Sequence, residues 1–184
     1  MTTINSLLNI EDLTLSLPVP SFDDSFATMH FMNILKGGRK LQLRIYGATS
    51  SDLMEHAEYG DSFFFTPSED ELENLIALEK IAAENAPENY AFHPTLNPDY
   101  QLGIKLKTNA LGKYRATLPF TYENVGEALV RGKKCVIDVT PGFYFSNDVK
   151  NGKKNYGVFY TLKSLKWSDV KITTKGINAE SKRK

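Results

Sequence analysis

Reactive side chains are scarce in this sequence. A single cysteine, Cys135, excludes a disulfide framework and any multi-cysteine metal site. The three histidines, His30, His56 and His93, lie in three separate segments, so no paired spacing marks a zinc site. There is no G-x-S-x-G elbow, and Lys36-Gly37-Gly38-Arg39 lacks the length and the Lys-Ser/Thr ending of a phosphate loop. No apolar run approaches the roughly 20 residues of a membrane span. Residues Met1 to Asp12 have neither the basic flank nor the apolar core of a signal peptide. Cys135 sits at an expected inward strand position, which reads as a buried structural thiol rather than a nucleophile. The acidic residues of 52–61 and 69–73 are explained by solvated turns and a helix start. The chain is therefore expected to be no enzyme, to need no cofactor or metal, to avoid membranes, and to work in a reducing interior such as the cytoplasm.

What the sequence does hold is charge, unevenly placed. Its 184 residues carry 22 basic and 22 acidic side chains, with 41% apolar residues, as expected for one globular domain. Residues 1–92 hold 5 Lys/Arg against 15 Asp/Glu, and residues 93–184 hold 17 against 7. Such asymmetry points to a polyanionic partner or to an acidic segment that masks the basic half.

Periodicity places the elements. Residues 1–25 read as an extended arm with an edge strand near Leu13–Leu17. Met29–Leu35 is a strand, 36–39 a glycine turn, and Lys40–Tyr46 a strand with Leu41, Leu43 and Ile45 inward. A strand at Phe63–Phe65 leads to the main helix, near 69–84. Ser68 and Glu71 fit a capping box, and Leu72, Leu75, Ile76, Glu79 and Ala83 fall at helical spacing. Residues 84–98 read as a loop. Leu102–Thr108 and Lys113–Phe120 alternate and are expected to pair as a hairpin with a basic face. Tyr122–Val130 is a short helix or turn. Lys133–Thr140 and Gly157–Trp167 are the last strands, separated by Pro141-Gly142 and a polar loop. The fold class is mainly β with an α insertion: an OB-like five-stranded antiparallel barrel with additional strands. One OB-like domain is expected over 1–174, its acidic helical insertion at about 50–100, with a flexible basic tail at 175–184.

In the basic half, cations interleave with aromatics. Cations follow phosphates, and aromatic faces stack on bases without reading sequence, so this composition suits single-stranded nucleic acid. The candidate binding residues are Arg44, Tyr46, Lys105, Lys107, Lys113, Arg115, Lys133, Lys134, Phe143, Tyr144, Lys153, Lys154, Tyr156, Phe159, Lys163 and Trp167. Alternation assigns Tyr114, Phe120 and Tyr160 to the core, and Arg44, Tyr46, Phe159 and Lys163 to an exposed face.

The run Gly132-Lys133-Lys134-Cys135-Val136-Ile137-Asp138-Val139, then Phe143-Tyr144-Phe145, then Lys153 to Leu165 resembles the closing part of viral and phage single-stranded DNA-binding proteins with an OB fold. The resemblance covers roughly residues 100–167. It implies sequence-independent binding of single-stranded DNA in replication, recombination or repair, alongside proteins of those processes. Many replicative members end in an acidic tail, whereas this chain ends Glu180-Ser181-Lys182-Arg183-Lys184. The acidic helix is then the expected partner surface. The alternative is a structural or adaptor protein that forms homo-oligomers by pairing its acidic and basic halves.

Overall fold

A computed structural model describes residues 2–3, 13–15, 29–56, 60–84, 86–150 and 152–169. The expected basic tail at 175–184 and most of the expected N-terminal arm lie outside the described residues. In chain order the strands are β1 (Thr2–Thr3), β2 (Leu13–Leu15), β3 (Met29–Lys36), β4 (Arg39–Lys40), β5 (Leu43–Thr49) and β6 (Asp61–Pro67). Helix α1 (Glu69–Glu84) follows, then β7 (Tyr90–Phe92), β8 (Leu102–Leu106), α2 (Val125–Ala128), β9 (Lys134–Lys150) and β10 (Lys153–Trp167). The architecture is mainly antiparallel β sheet with one long helix.

β9 and β10 pair along almost their whole length, from Lys153 opposite Lys150 to Trp167 opposite Cys135. The opposite flank of β9 is shared. Its first part pairs with β5, Leu43 opposite Val139 through Ala48 opposite Lys134. Its later part pairs with β3, Asn33 opposite Gly142 through Met29 opposite Ser146. The sheet then continues from β5 to β6 and from β6 to β8.

Three sequence expectations change here. Pro141 and Gly142 lie inside β9 rather than between two strands. Pro141 falls where the neighbour changes from β5 to β3, so its missing N–H costs that flank no ladder bond. Lys113–Phe120 does not complete a hairpin with β8. After the single bridge between Thr108 and Tyr114, and the Arg115 N–H to Lys107 C=O bond, the chain crosses to β10. There Thr117 donates to the Lys163 carbonyl and accepts from the Leu165 N–H. Among the described residues this parallel bridge at Ser164 is the one pairing across the seam between the β8 side and β10, so the described sheet does not close into a continuous barrel. Finally, the expected loop at 84–98 contains β7, which pairs in parallel with β10 from Tyr90 opposite Lys154 to Phe92 opposite Tyr156. Three residues are too few to show a period.

The core lies between the sheet and α1. Leu43, Ile45, Phe63, Phe65, Leu102, Ile104, Ile137 and Val139 form its fully buried sheet side. Helix residues Leu72, Leu75, Leu78 and Ala82 close it from below. Ile76, expected inward, is 42% exposed, and Ala83 is exposed too. The buried stripe runs through 72, 75, 79 and 82, and Ile76 stands one helical step off it.

That stripe includes a carboxylate. Glu79 is buried, and its Oε1 accepts the backbone N–H of Thr95 at 2.8 Å and of Leu96 at 3.1 Å. It thereby pins the segment after β7 to the helix. Burial pushes the Glu79 carboxyl up, and those hydrogen bonds offset the push only in part. A carboxyl raised on folding stabilises the protein below its unfolded value, and that contribution is lost as pH rises through the folded value. Glu79→Gln keeps the Oε1 acceptor without the charge. Urea unfolding from acid to neutral pH is expected to show the variant gaining on the parent as pH rises. A constant difference across that range would contradict this account of Glu79.

Candidate nucleic-acid interface

Directly opposed residues of an antiparallel ladder share a face, so the registers sort the basic half into a core side and an outer side. Met32, Phe143 and Val158 stand in one core-side row, and Phe145 and Tyr156 in the next. The alternate rows face outward. Phe31, Tyr144 and Gly157 form one, and Asn33, Gly142 and Phe159 the next. Farther along the same face come Arg44, Asp138 and Ser164, then Tyr46, Val136 and Lys166. Lys134, opposite Ala48, ends the series.

The outward aromatics are held by glycine. A Cβ on Gly142 would lie 2.6 Å from Phe159 Cζ, and one on Gly157 would lie 2.7 Å from Tyr144 Oη. Each ring therefore rests on the bare backbone of the neighbouring strand. Phe31 meets Phe159 edge to face, with centroids 5.3 Å apart and planes at 83°. Phe31 is 62% exposed, while Tyr144 and Phe159 are half-buried. Three aromatics on three adjacent strands thus stand beside one another on the outer face. Phe31 is the member that sequence reasoning missed. Its signal was present: with Met32 and Ile34 buried, alternation turns Phe31 and Asn33 outward.

Two expected binding aromatics belong instead to the core. Tyr156 is buried, stacks on Phe143 at 5.6 Å and on Phe145 at 5.3 Å, and donates its hydroxyl to the Ala82 carbonyl. Burial pushes its phenol up to about 12. Phe143 shares that inward side and is half-buried. Tyr156 thereby joins the hairpin to α1, and Phe143 packs against it.

The expected cations divide by partner. Arg44 is on the outer face as expected, but it is committed. Its Nε and Nη2 donate to the two Asp138 oxygens at 2.8 and 3.1 Å, and Ser164 Oγ donates to Oδ2 at 2.8 Å. Burial would raise the Asp138 carboxyl, but the Arg44 and Ser164 bonds, with the charges of Arg44 and Lys166, outweigh it and hold the group below its ordinary range. Lys133 donates to the Ala128 carbonyl at 2.9 Å and lies 4.6 Å from the Trp167 ring centroid. Trp167 opposes Cys135 on the core side, half-buried against Phe120, so both members of that pair serve packing first. Burial pushes the Cys135 thiol up to about 12, which suits its structural reading. Lys153 is exposed near the β9–β10 turn, and Lys154 reaches over the Tyr90 ring at 6.0 Å. Tyr46 is half-buried, whereas Lys134, Lys163 and Lys166 are exposed.

A second basic surface lies across the seam. Lys105, Lys107 and Arg115 line an open groove of about 890 Å³ with Glu55, His56, Asp61 and Tyr122, and Lys113 is exposed on the turn before Arg115. Among the described residues, no group of three or more His, Cys, Asp or Glu is placed to hold a metal ion. Nor is any described helix long and apolar enough to cross a membrane. Comparisons with protein-family models, curated proteins and solved structures find no match to this chain.

The glycine contacts give a direct test of the outer face. Val at Gly142 would also meet the Met32 carbonyl at 2.7 Å, a backbone atom that cannot swing away. Gly142→Val is expected to cost about 1–3 kcal/mol in urea unfolding, the usual range for overpacking. Gly103→Val, whose Cβ would meet only Phe64 Cε1 at 3.7 Å, is the near-neutral control. Equal stability of the two variants would contradict the close packing at Gly142.

Proposed function

We propose that this protein binds single-stranded nucleic acid, and single-stranded DNA in particular, without reading sequence. The observation that carries the reading is that stacking and charged groups share one sheet face. Phe31, Tyr144 and Phe159 occupy its upper rows, and Lys166 and Lys134 its lower rows, with Lys163 exposed at the bulge between them. Flat rings accept any base, and lysines meet the phosphates that every nucleotide carries. The rows from Gly142 to Asp138 span four residues of strand, about 13 Å. A strand lying along β9 and β10 would meet rings first and cations after.

The scaffold fits this use. The order β8-β6-β5-β9-β10, with a parallel touch where β8's continuation meets β10, supports reading the sheet as an OB-like barrel opened at one seam. We assign the protein that scaffold, with α1 as its acidic insertion between β6 and β8. The role that follows is the coating of single strands exposed in replication, recombination or repair. DNA is favoured over RNA only by the resemblance in the hairpin sequence, because discrimination rests on contacts to the 2′-hydroxyl.

The test is fluorescence anisotropy of a labelled oligo(dT) across a salt series, with a duplex of equal length as comparison. Phe31→Ala and Phe159→Ala are each expected to weaken binding by ~1–3 kcal/mol and to leave the salt slope unchanged. Lys163→Gln and Lys166→Gln should instead flatten the slope by about 0.7 for each lost phosphate contact. Phe31 is largely exposed, so its loss should not disturb folding. Parental affinity in both aromatic variants would overturn this face as the binding surface.

A further inference from the structure

The groove across the seam holds cations that the sheet face does not use. Lys105 points outward from β8, Lys107 follows it, and Arg115 lies beside Lys107 through the bond from its N–H to the Lys107 carbonyl at 2.9 Å. Like charges placed side by side repel one another. Among the described residues none of these three cations makes an ion pair, although Glu55 and Asp61 line the same groove. Asp61 is already engaged by the Tyr114 hydroxyl at 3.0 Å. Tyr114 in turn supports Tyr122, whose ring lies 5.7 Å away and is 55% exposed. Three cations outnumber the two carboxylates of the groove, and beside an exposed ring they are suited to a phosphate with a base attached.

The groove is also continuous with the sheet face. Thr117 is bonded to the Lys163 carbonyl, and Arg115 stands two residues before it, about 7 Å along an extended chain. A path therefore runs from Phe159 through Lys163 and over the seam to Arg115 and Lys107. Glu55 and Asp61 share the groove with these cations and would repel a backbone that continued through it. A strand that ends here brings a single phosphate to the cations, whereas a continuing backbone would bring several past both carboxylates. A terminal phosphomonoester carries more charge than an internal phosphodiester, which suits three cations better than one linkage does.

We propose that this groove binds a terminal phosphate, with Lys105, Lys107 and Arg115 on its oxygens and Tyr122 against the adjoining base. A strand end and a free mononucleotide offer the same chemistry. The path to the sheet face rests on the single-strand reading above, while the groove's affinity for a phosphomonoester does not.

The test compares oligo(dT) carrying a 5′-phosphate, a 3′-phosphate or hydroxyl ends, with thymidine monophosphate as competitor. One phosphorylated end is expected to bind about tenfold tighter than the hydroxyl form, the scale of a charge-assisted contact. Lys107→Gln with Arg115→Gln should remove that increment, so that phosphorylated and hydroxyl-ended oligonucleotides bind alike. Phe31→Ala should do the reverse, weakening all three oligonucleotides and keeping the increment. Thymidine monophosphate that erases the increment supports the groove as the site of the end. If thymidine monophosphate binds and no oligonucleotide does, the groove stands and the single-strand reading fails. If all three oligonucleotides bind alike and the monophosphate does not bind, the groove proposal is overturned and the single-strand reading survives.

Discussion

The ladder between β9 and β10 is the constraint on which the rest of the structure depends. Fourteen residue pairs hold it among the described residues, and two register shifts let it bend. Its outer flank receives β5 and β3 in succession, its far edge receives β7, and its inner rows receive α1 through Tyr156. A one-residue slip would exchange every inward and outward side chain of the hairpin. Phe145, Tyr156 and Val158 would then face water, and Tyr144 and Phe159 the core. Burial of the first set fixes the register, and the register in turn presents the second set.

The same pairing explains why rings stand exposed on a sheet at all. Glycine weakens a strand interior because it packs nothing and gives up the most conformational freedom on folding. Gly142 and Gly157 are in strand interiors, each beneath an aromatic side chain from the neighbouring strand. The rings recover contact that the glycines forgo, and they stay ordered while one face remains open. Ordered rings lose little freedom when a base stacks on them, which favours affinity. The Arg44–Asp138–Ser164 row does the opposite for charge: it satisfies a cation within the protein and leaves the contacts with phosphate to the lysines around it.

Much of the fold was legible by period alone. Leu41, Leu43 and Ile45 are buried as alternation requires, and α1 spans the residues its acidic start and Pro87 mark. Local pattern failed where a distant partner decided. Pro141-Gly142 read as a break because the sequence does not reveal that β9 changes neighbours there. Residues 113–120 kept their alternation of exposed and half-buried side chains but lost their expected partner to β10. β7 owes its existence to the edge it lies against. Of the candidate site, Lys105, Lys107 and Arg115 emerged grouped, because neighbours on adjoining segments stay neighbours. Phe143 was not assigned a side because alternation could not be carried through the proline-glycine pair, whereas Tyr156 shares the inward face of Val158 and Tyr160 and alternation would have placed it there. Phe31 joined Tyr144 and Phe159 across 113 residues of sequence, a distance over which only the sheet register speaks.

Photocrosslinking tests the central claim most directly. Oligo(dT) bearing 5-bromodeoxyuridine would be irradiated on the full chain, and the linked peptides identified by mass spectrometry. The account predicts adducts at Phe31, Tyr144 or Phe159, lost when excess unlabelled oligo(dT) is added, and none at Phe143 or Tyr156. Adducts confined to residues away from β3, β9 and β10, with these three aromatics unmodified, would contradict it.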